Sequence, residues 1–177
     1  MTSLHKMRPS RPASLEDRVK TGLRMWQDEL PALDSSGKAV CGRVVALSGV
    51  LNQLFNATLA QFDLKYPEYG VLATLRASGA PYSLTQKQLL ETILFSSGGM
   101  SNLLARLERR GLILRQNDSG DRRVTHVQLT QAGVEIANQA MAAQSGTENA
   151  LCAGLTDAER AALISALAKL LDTALEV

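Results

Sequence analysis

Apolar residues recur every three or four positions along most of this chain, which is the spacing of one face of an α-helix. The pattern predicts five helices of moderate or greater length, at about residues 14–29, 38–61, 66–78, 131–151 and 156–175. Pro31 ends the first helix, and Pro67 suits the first position of the third. Thr130 and Thr156 are predicted to cap the last two helices.

The central segment predicts two further helices joined by a tight turn. Thr85 and Gln88 form a capping box at the start of the short first helix, in which each side chain bonds to the backbone of the other residue. The second helix is predicted over about residues 97–110, with Ser96 or Ser97 as its N-cap. The apolar stripe predicted to be buried on this helix is Met100, Leu104 and Leu107, with Leu103 beside it.

Gly111 ends the second helix as a C-terminal cap, and the residues after it predict a β-hairpin. Strand patterns occupy residues 112–115 and 124–129, and residues 117–121 have turn chemistry. A hairpin directly after a helix-turn-helix is a wing. The predicted fold class is therefore mainly α with a small β-hairpin wing, a winged helix-turn-helix flanked by N- and C-terminal dimerisation helices.

This pattern divides the chain into four parts. Residues 1–12, with two prolines and scattered basic side chains, predict a disordered basic arm, either a solvated terminus or an extra phosphate contact. Residues 13–65 are N-terminal helices for dimerisation and a candidate ligand pocket. Residues 66–130 are the winged helix-turn-helix DNA-binding domain, and residues 131–177 are C-terminal dimerisation helices.

The flanking helices are too long and too rich in leucine merely to support a small winged domain. An exposed apolar stripe of that size needs burial. The simplest solution is a two-fold homodimer with intertwined terminal helices. Such a dimer would present two recognition helices about 34 Å apart, the spacing of a pseudo-palindromic operator on double-stranded DNA.

In DNA-binding proteins with a helix-turn-helix, the second helix enters the major groove. Here its leading residues are small or polar, which permits close approach to base edges, and the helix N-terminus favours phosphate. Asn102 can pair with adenine through two hydrogen bonds. The candidate DNA-contacting residues are Gln86, Ser96, Ser97, Gly98, Ser101, Asn102, Arg106, Arg122 and Arg123.

Positive charge is concentrated in the same segment. Residues 103–123 hold six arginines and three acidic residues, six minus three or +3, whereas the whole chain carries +2. Arg122 and Arg123 follow the hairpin turn, where a wing arginine can enter an A·T-rich minor groove. Asp121 is expected to support the wing by orienting an arginine. Charged residues along one side of a helix more commonly indicate a face that contacts solvent. The prediction of DNA binding therefore rests on the ordered set of motifs and not on the arginines alone.

Composition narrows the function classes. The 177 residues are 45% hydrophobic, and the two cysteines do not form a disulfide framework. We find no signal-peptide pattern and no apolar run of the roughly 18 residues that a membrane span needs, so a cytoplasmic protein is expected. His5 and His126 are the only histidines, and no catalytic set, phosphate loop or paired metal ligands is recognisable. We therefore predict no enzyme, no cofactor and no metal.

The segment from the recognition helix to the helix after the wing resembles the MarR family of bacterial regulators. The similarity is densest in the stretch LARLERRGLI at 104–113, in DRR at 121–123 and in VQLTQAG at 127–133. The resemblance implies a winged-helix homodimer whose DNA binding is weakened by a small-molecule or oxidative signal. By matching position, Arg123 is the wing-tip arginine and Asp121 its partner.

The extra N-terminal helix with Trp26 resembles the urate-responsive branch of that family. The branch holds its ligand with this tryptophan, an aspartate and an arginine, and the positions matching the last two are Gly70 and Leu103. Both polar ligand-holding residues are therefore absent. An apolar or aromatic ligand near Trp26 and a packing role for Trp26 remain alternatives.

Cys41 resembles the sensing cysteine of organic-peroxide-responsive relatives. Those relatives also place a tyrosine one helical turn after the cysteine, where this chain has Val45. Lys38 and Arg43 are the nearest cationic residues. The main hypothesis is a repressor released by a small aromatic or phenolic ligand. A thiol-based redox-switched repressor using Cys41 is the alternative, and a winged-helix module that serves only protein contacts is a third.

Overall fold

The computed structural model describes residues 14–93, 99–118, 120 and 124–174. Within these residues the helices are α1 (Leu15–Glu29), α2 (Ser36–Leu59), α3 (Tyr66–Ala77), α4 (Gln86–Thr92), α5 (Met100–Arg109), α6 (Gln131–Cys152) and α7 (Asp157–Ala174). The strands are β1 (Ser83–Thr85), β2 (Ile113–Asn117) and β3 (Thr125–Leu129). This is the predicted, mainly helical winged-helix order.

The chain divides into two compact units, residues 1–53 and 54–177. In the first unit, α1 is tied to α2 by an ion pair with two hydrogen bonds, in which Arg43 donates from Nη2 and Nε to Glu16 at 2.7 and 3.1 Å. Its apolar side chains stay largely outside a core, since α1 has no buried residue.

The second unit contains the main hydrophobic core. The recognition helix α5 contributes its predicted stripe of Met100, Leu104 and Leu107, and Leu103 beside this stripe is buried as well. Helix α3 packs against both α5 and α6 in this core, with Leu72 and Ala137 fully buried. The core therefore fixes one side of α5 and leaves the other side to solvent.

The first turn of α6 comes very close to the residue that precedes the wing. A Cβ atom on Gly133 would overlap the backbone carbonyl oxygen of Leu112. Thr130 caps the same turn as predicted, since its Oγ1 accepts the Gly133 N–H at 3.0 Å.

The sheet has three antiparallel strands in the order β1-β3-β2. Ile113 pairs with Leu129 in the predicted hairpin, and Ser83 pairs with Gln128 on the other side of β3. Val127 and Leu129 are buried on one face, as predicted. The strand β1 was not predicted, because three residues are too short to show an alternating pattern.

Several element ends differ from the predictions. Helix α2 runs over Ser36–Leu59 rather than about 38–61, and a 3₁₀ turn at Ala60–Phe62 follows it. Pro67 takes the second helical position, because Tyr66 is the first residue of α3. Helix α7 follows the predicted capping box, in which Glu159 donates its N–H to Thr156 Oγ1 at 3.3 Å.

Many large apolar side chains on the flanking helices are exposed. Like α1, helix α7 has no buried residue within the described chain. The exposed set on these two helices and the first half of α2 includes Leu15, Trp26, Val40, Val44, Leu47, Leu163, Ile164, Leu167, Leu170 and Leu171. No helix among the described residues is both long and apolar enough to cross a membrane.

Candidate nucleic-acid interface

The first helix of the helix-turn-helix begins at the predicted capping box. Thr85 Oγ1 accepts the Gln88 N–H at 3.2 Å, and Gln88 Oε1 accepts the Thr85 N–H at 2.9 Å. Gln86 is therefore the first residue of α4, and Leu89 anchors the helix in the core. The sequence-predicted contact residue Gln86 is partly exposed there.

The recognition helix begins later than predicted. Helix α5 starts at Met100, and its N-cap is Gly99 in a left-handed conformation with φ of 100°, instead of Ser96 or Ser97. Glycine adopts positive φ without steric cost, so the chain can turn sharply into the helix. The predicted contacts Ser96, Ser97 and Gly98 lie outside the described residues.

Two of the predicted base-reading residues lie in the first turn of α5. Ser101 and Asn102 are both exposed, whereas Leu103 and Leu104 beside them are buried. The free N–H groups at a helix start favour anions, and short side chains allow backbone and DNA to approach each other. This end of α5 therefore has the shape and polarity of a groove-reading surface.

The C-terminal end of α5 is held by a Schellman motif. Gly111, with φ of 68°, donates its N–H to the Glu108 carbonyl at 2.8 Å, and Leu112 donates to Leu107 at 3.0 Å. Thr130 Oγ1 donates to the Gly111 carbonyl at 2.6 Å. These bonds confirm the predicted role of Gly111 and connect the recognition helix to the start of α6.

Three arginines near α5 are engaged by protein groups. Arg106 Nη2 lies 3.2 Å from Glu68 Oε1, and Arg110 donates to the Asp63 and Phe62 carbonyls at 2.6 and 3.1 Å. The third, Arg115 on β2, pairs with Glu108. The local positive charge inferred from the sequence is therefore partly used to hold the fold.

The wing is joined to the recognition helix by an ion pair. Arg115 on β2 donates to Glu108 Oε2 on α5 from Nε at 2.8 Å and from Nη2 at 2.6 Å. These hydrogen bonds, together with the positive charge, hold the pKa of Glu108 below its ordinary value. The pair fixes the direction in which the hairpin leaves the helix.

The turn of the wing closes through Asp118. Its N–H donates to the Val124 carbonyl at 2.9 Å, and its Oδ2 lies 3.1 Å from His126 Nε2. The predicted wing residues Asp121, Arg122 and Arg123 lie outside the described residues. Their roles therefore stay predictions from the sequence.

A cleft of about 850 Å³ opens beside the recognition helix. Its wall combines the buried carboxylate of Glu68 with several cationic side chains and a few apolar ones. The lining residues are Asn56, Ala60, Asp63, Leu64, Lys65, Glu68, Arg106, Arg109 and Arg110. Four cationic side chains and two carboxylates line it, so its net charge is positive.

The residues predicted to hold a ligand are not part of that cleft wall. Trp26 lies in the first unit, where Lys38 Nζ sits 3.9 Å from the centre of its ring. Leu103 belongs to the hydrophobic core of the second unit, and Gly70 lies in α3. The core position of Leu103 favours packing as its role.

Cys41 is exposed on α2. Both cations that lie near it in the sequence are engaged by other partners, because Arg43 pairs with Glu16 and Lys38 covers Trp26. Within the part of the chain that the structure describes, no group of three or more His, Cys, Asp or Glu residues is placed to hold a metal ion.

Comparison with known proteins finds transcriptional regulators among the relatives of this chain. The sequence model of the MarR family matches residues 62–124. The regulator PecS of Dickeya dadantii is 26% identical over 147 residues, which are 83% of this chain and 89% of PecS. An HTH-type transcriptional regulator of Bacillus cereus is 32% identical over 101 residues, which are 57% of this chain and 67% of that regulator.

The fold has a matching solved structure with nucleic acid. The chain is similar to MepR of S. aureus in its DNA complex, with 28% sequence identity and a TM-score of 0.66. The match covers 72% of this chain and 92% of the MepR chain.

Proposed function

The chain belongs to the MarR family of DNA-binding transcriptional regulators, and on that premise we propose that it is a homodimeric repressor released by a small aromatic or phenolic ligand. The observation that carries the proposal is the first turn of α5. It exposes Ser101 and Asn102, while Met100 and Leu104 fix the opposite side in the core. A rigid helix with a polar, small-residue leading end is what major-groove reading requires.

Dimerisation is supported by the exposed apolar side chains of α1 and α7. Neither helix buries a residue within the described chain, although each carries leucines at helical spacing. Contiguous apolar patches on a soluble protein mark interaction sites, and a two-fold axis would cover identical patches on two copies together. The proposed DNA site is accordingly a pseudo-palindrome.

Control by a ligand is supported by the cleft beside α5. Lys65 and Arg109 line it, and Arg109 belongs to the recognition helix itself. A carboxylate or phenolate bound there would compete with DNA for these side chains. The proposed ligand is therefore an aromatic or phenolic anion.

Redox control through Cys41 is the second candidate, and the exposure of Cys41 to solvent supports it. An oxidant could reach the sulfur atom without unfolding α2. Under this candidate, Cys41→Ser abolishes the release of DNA by peroxide, and unchanged release removes it.

A gel-shift experiment over a salt series tests the function itself. The purified protein is mixed with the intergenic DNA upstream of its own gene, with unrelated competitor DNA present. A discrete shift that survives competitor and weakens with salt supports the proposal, because phosphate contacts release counterions. Absence of any shift at low salt would instead favour a winged helix that serves protein contacts.

A further inference from the structure

Glu68 is the one buried charged residue among the described residues, and it contacts the recognition helix. Its exposed fraction is 4%. Glu68 Oε2 accepts the backbone N–H of Lys65 at 2.8 Å, and Glu68 Oε1 lies 3.2 Å from Arg106 Nη2. The two carboxylate oxygens therefore join the start of α3 to α5.

The position of this carboxylate is fixed by its own helix. Glu68 is the third residue of α3 and bonds back to the cap residue Lys65, so its side chain cannot leave without exposing a helix end. A buried carboxylate without a cation is strongly unfavourable. Arg106 consequently stays paired with Glu68, although 43% of the Arg106 side chain is exposed.

Arg106 lies on the side of α5 proposed to meet DNA. It follows Asn102 by one helical turn, and residues four apart share a helix face. Its neighbour Arg109 bonds to the Ala105 carbonyl of its own helix instead of to a carboxylate. Glu68 thus acts on one particular arginine of the recognition helix.

We propose that Glu68 is a specificity-determining residue for DNA binding, because it neutralises Arg106 and keeps its guanidinium away from phosphate groups. The inference rests on the proposed function. Phosphate contacts strengthen binding to every sequence equally, whereas base contacts distinguish sequences. An arginine that is held by a buried carboxylate does not strengthen binding to the wrong DNA.

The test is Glu68→Gln, which keeps the size of the side chain and an oxygen that can accept the Lys65 N–H. Binding to a random-sequence duplex and to the upstream intergenic DNA is measured over a salt series. We expect the plot of log affinity against log salt to become steeper by about 1.8, the value of two added phosphate contacts, one from each subunit of the proposed dimer. The variant should bind the random duplex more tightly, and its preference for the intergenic DNA should fall.

Glu135→Gln is the matched control, since it removes the same charge from the exposed side of α6 and should leave the salt slope unchanged. The double variant Glu68→Gln/Arg106→Gln avoids a lone buried charge and should restore the wild-type slope. It also decides the question if Glu68→Gln alone fails to fold.

Two results would overturn the inference: a wild-type slope and preference in folded Glu68→Gln, or a double-variant slope about 1.8 shallower than wild type, which would mean that both Arg106 side chains of the dimer already contact phosphate. Wild-type protein that shows no salt-dependent binding would overturn the proposed function itself, a result distinct from both.

Discussion

Gly133 lies so close to Leu112 that the Leu112 carbonyl oxygen occupies the space where a Cβ atom of residue 133 would be. The contact brings the first turn of α6 against the segment between the recognition helix and the wing. Backbone touches backbone here, so neither partner can move aside as a flexible side chain would. The residue type at 133 is therefore dictated by packing.

Gly133→Ala should destabilise the protein by about 1–3 kcal/mol or more, because the added methyl group overlaps main-chain atoms. Gly146→Ala on the same helix is the matched control, since apart from the adjoining residues and backbone of its own helix nothing lies within 4 Å of the place that its added methyl group would take. Replacing a glycine inside a helix there should stabilise by about 0.5–1 kcal/mol. Urea unfolding measures both, and equal stability of Gly133→Ala and wild type would contradict the close contact.

The Glu108–Arg115 pair predicts a pH dependence of stability. The pKa of Glu108 is lowered in the folded protein, so the pair contributes stability above the ordinary carboxyl pKa of 4.5 and loses it as the pH falls through the lowered folded value. Glu108→Gln should therefore be less stable than wild type near neutral pH, and the difference should vanish once the pH has fallen below the lowered pKa of folded Glu108.

Unfolding by urea at several pH values measures this difference. Arg115→Gln should show the same loss near neutral pH, and the double variant should show little further loss because both changes remove one interaction. A Glu108→Gln curve parallel to wild type across the whole pH range would exclude a contribution from the pair.

Most of the fold could be predicted because the local signals agree with the tertiary structure. The capping boxes at Thr85 and Thr156, the glycine stop at Gly111 and the buried stripe of α5 all depend on neighbours in the sequence. The start of α5 could not be predicted in this way. Ser96 and Ser97 are good N-caps by residue type, but the left-handed Gly99 is the N-cap, and it sets the entry into the helix.

Leu107→Ala should lower the free energy of unfolding by about 2–5 kcal/mol, because Leu107 is fully buried and the cavity adds to the lost apolar burial. Leu114→Ala, at a position that is 47% exposed on β2, should cost clearly less. Thermal and urea unfolding compare the two. A wild-type midpoint for Leu107→Ala would contradict the burial of this side of α5.

Arg123→Ala tests the wing residue that the sequence and the family pattern predict. It should weaken binding to operator DNA by about tenfold or more, since one groove contact is worth about 1–3 kcal/mol, and should leave the unfolding midpoint unchanged. Arg24→Ala removes an exposed arginine from α1 and serves as the charge control. Undiminished DNA binding by Arg123→Ala would remove the wing from the mechanism.

Ile164→Glu tests the proposed dimer. Ile164 is 63% exposed on α7, so a carboxylate there should disturb an apolar subunit interface without disturbing the core of one chain. Light scattering after size-exclusion chromatography should show a shift toward monomer. Ser165→Glu, the next residue on the same helix, should stay dimeric, and a dimeric Ile164→Glu would place the interface elsewhere.

The partners of the predicted DNA-binding residues were harder to predict from the sequence than the fold. The partner of a charged residue depends on tertiary contacts, which a sequence pattern does not contain. The sequence indicates that Arg106 and Arg110 are basic residues on a recognition helix. It does not indicate that one meets the buried Glu68 and the other the carbonyls of Phe62 and Asp63. Glu68 was missed for the same reason, since an acidic residue in the first turn of a helix reads as an ordinary cap.

The hydrogen bonds that surround Gly111 and Leu112 have a mechanical consequence. The end of α5, the residue that precedes the wing and Thr130 at the N-terminus of α6 are joined by hydrogen bonds of the Leu112 main chain and the Thr130 side chain. We therefore expect a rotation of α6 to carry α5 and the hairpin with it. In the proposed dimer, a small tilt between the subunits then changes the distance between the two recognition helices without altering either of them. The helical pitch of DNA is fixed. A ligand that changed this separation would keep the two recognition helices from entering successive major grooves together, and repression would end.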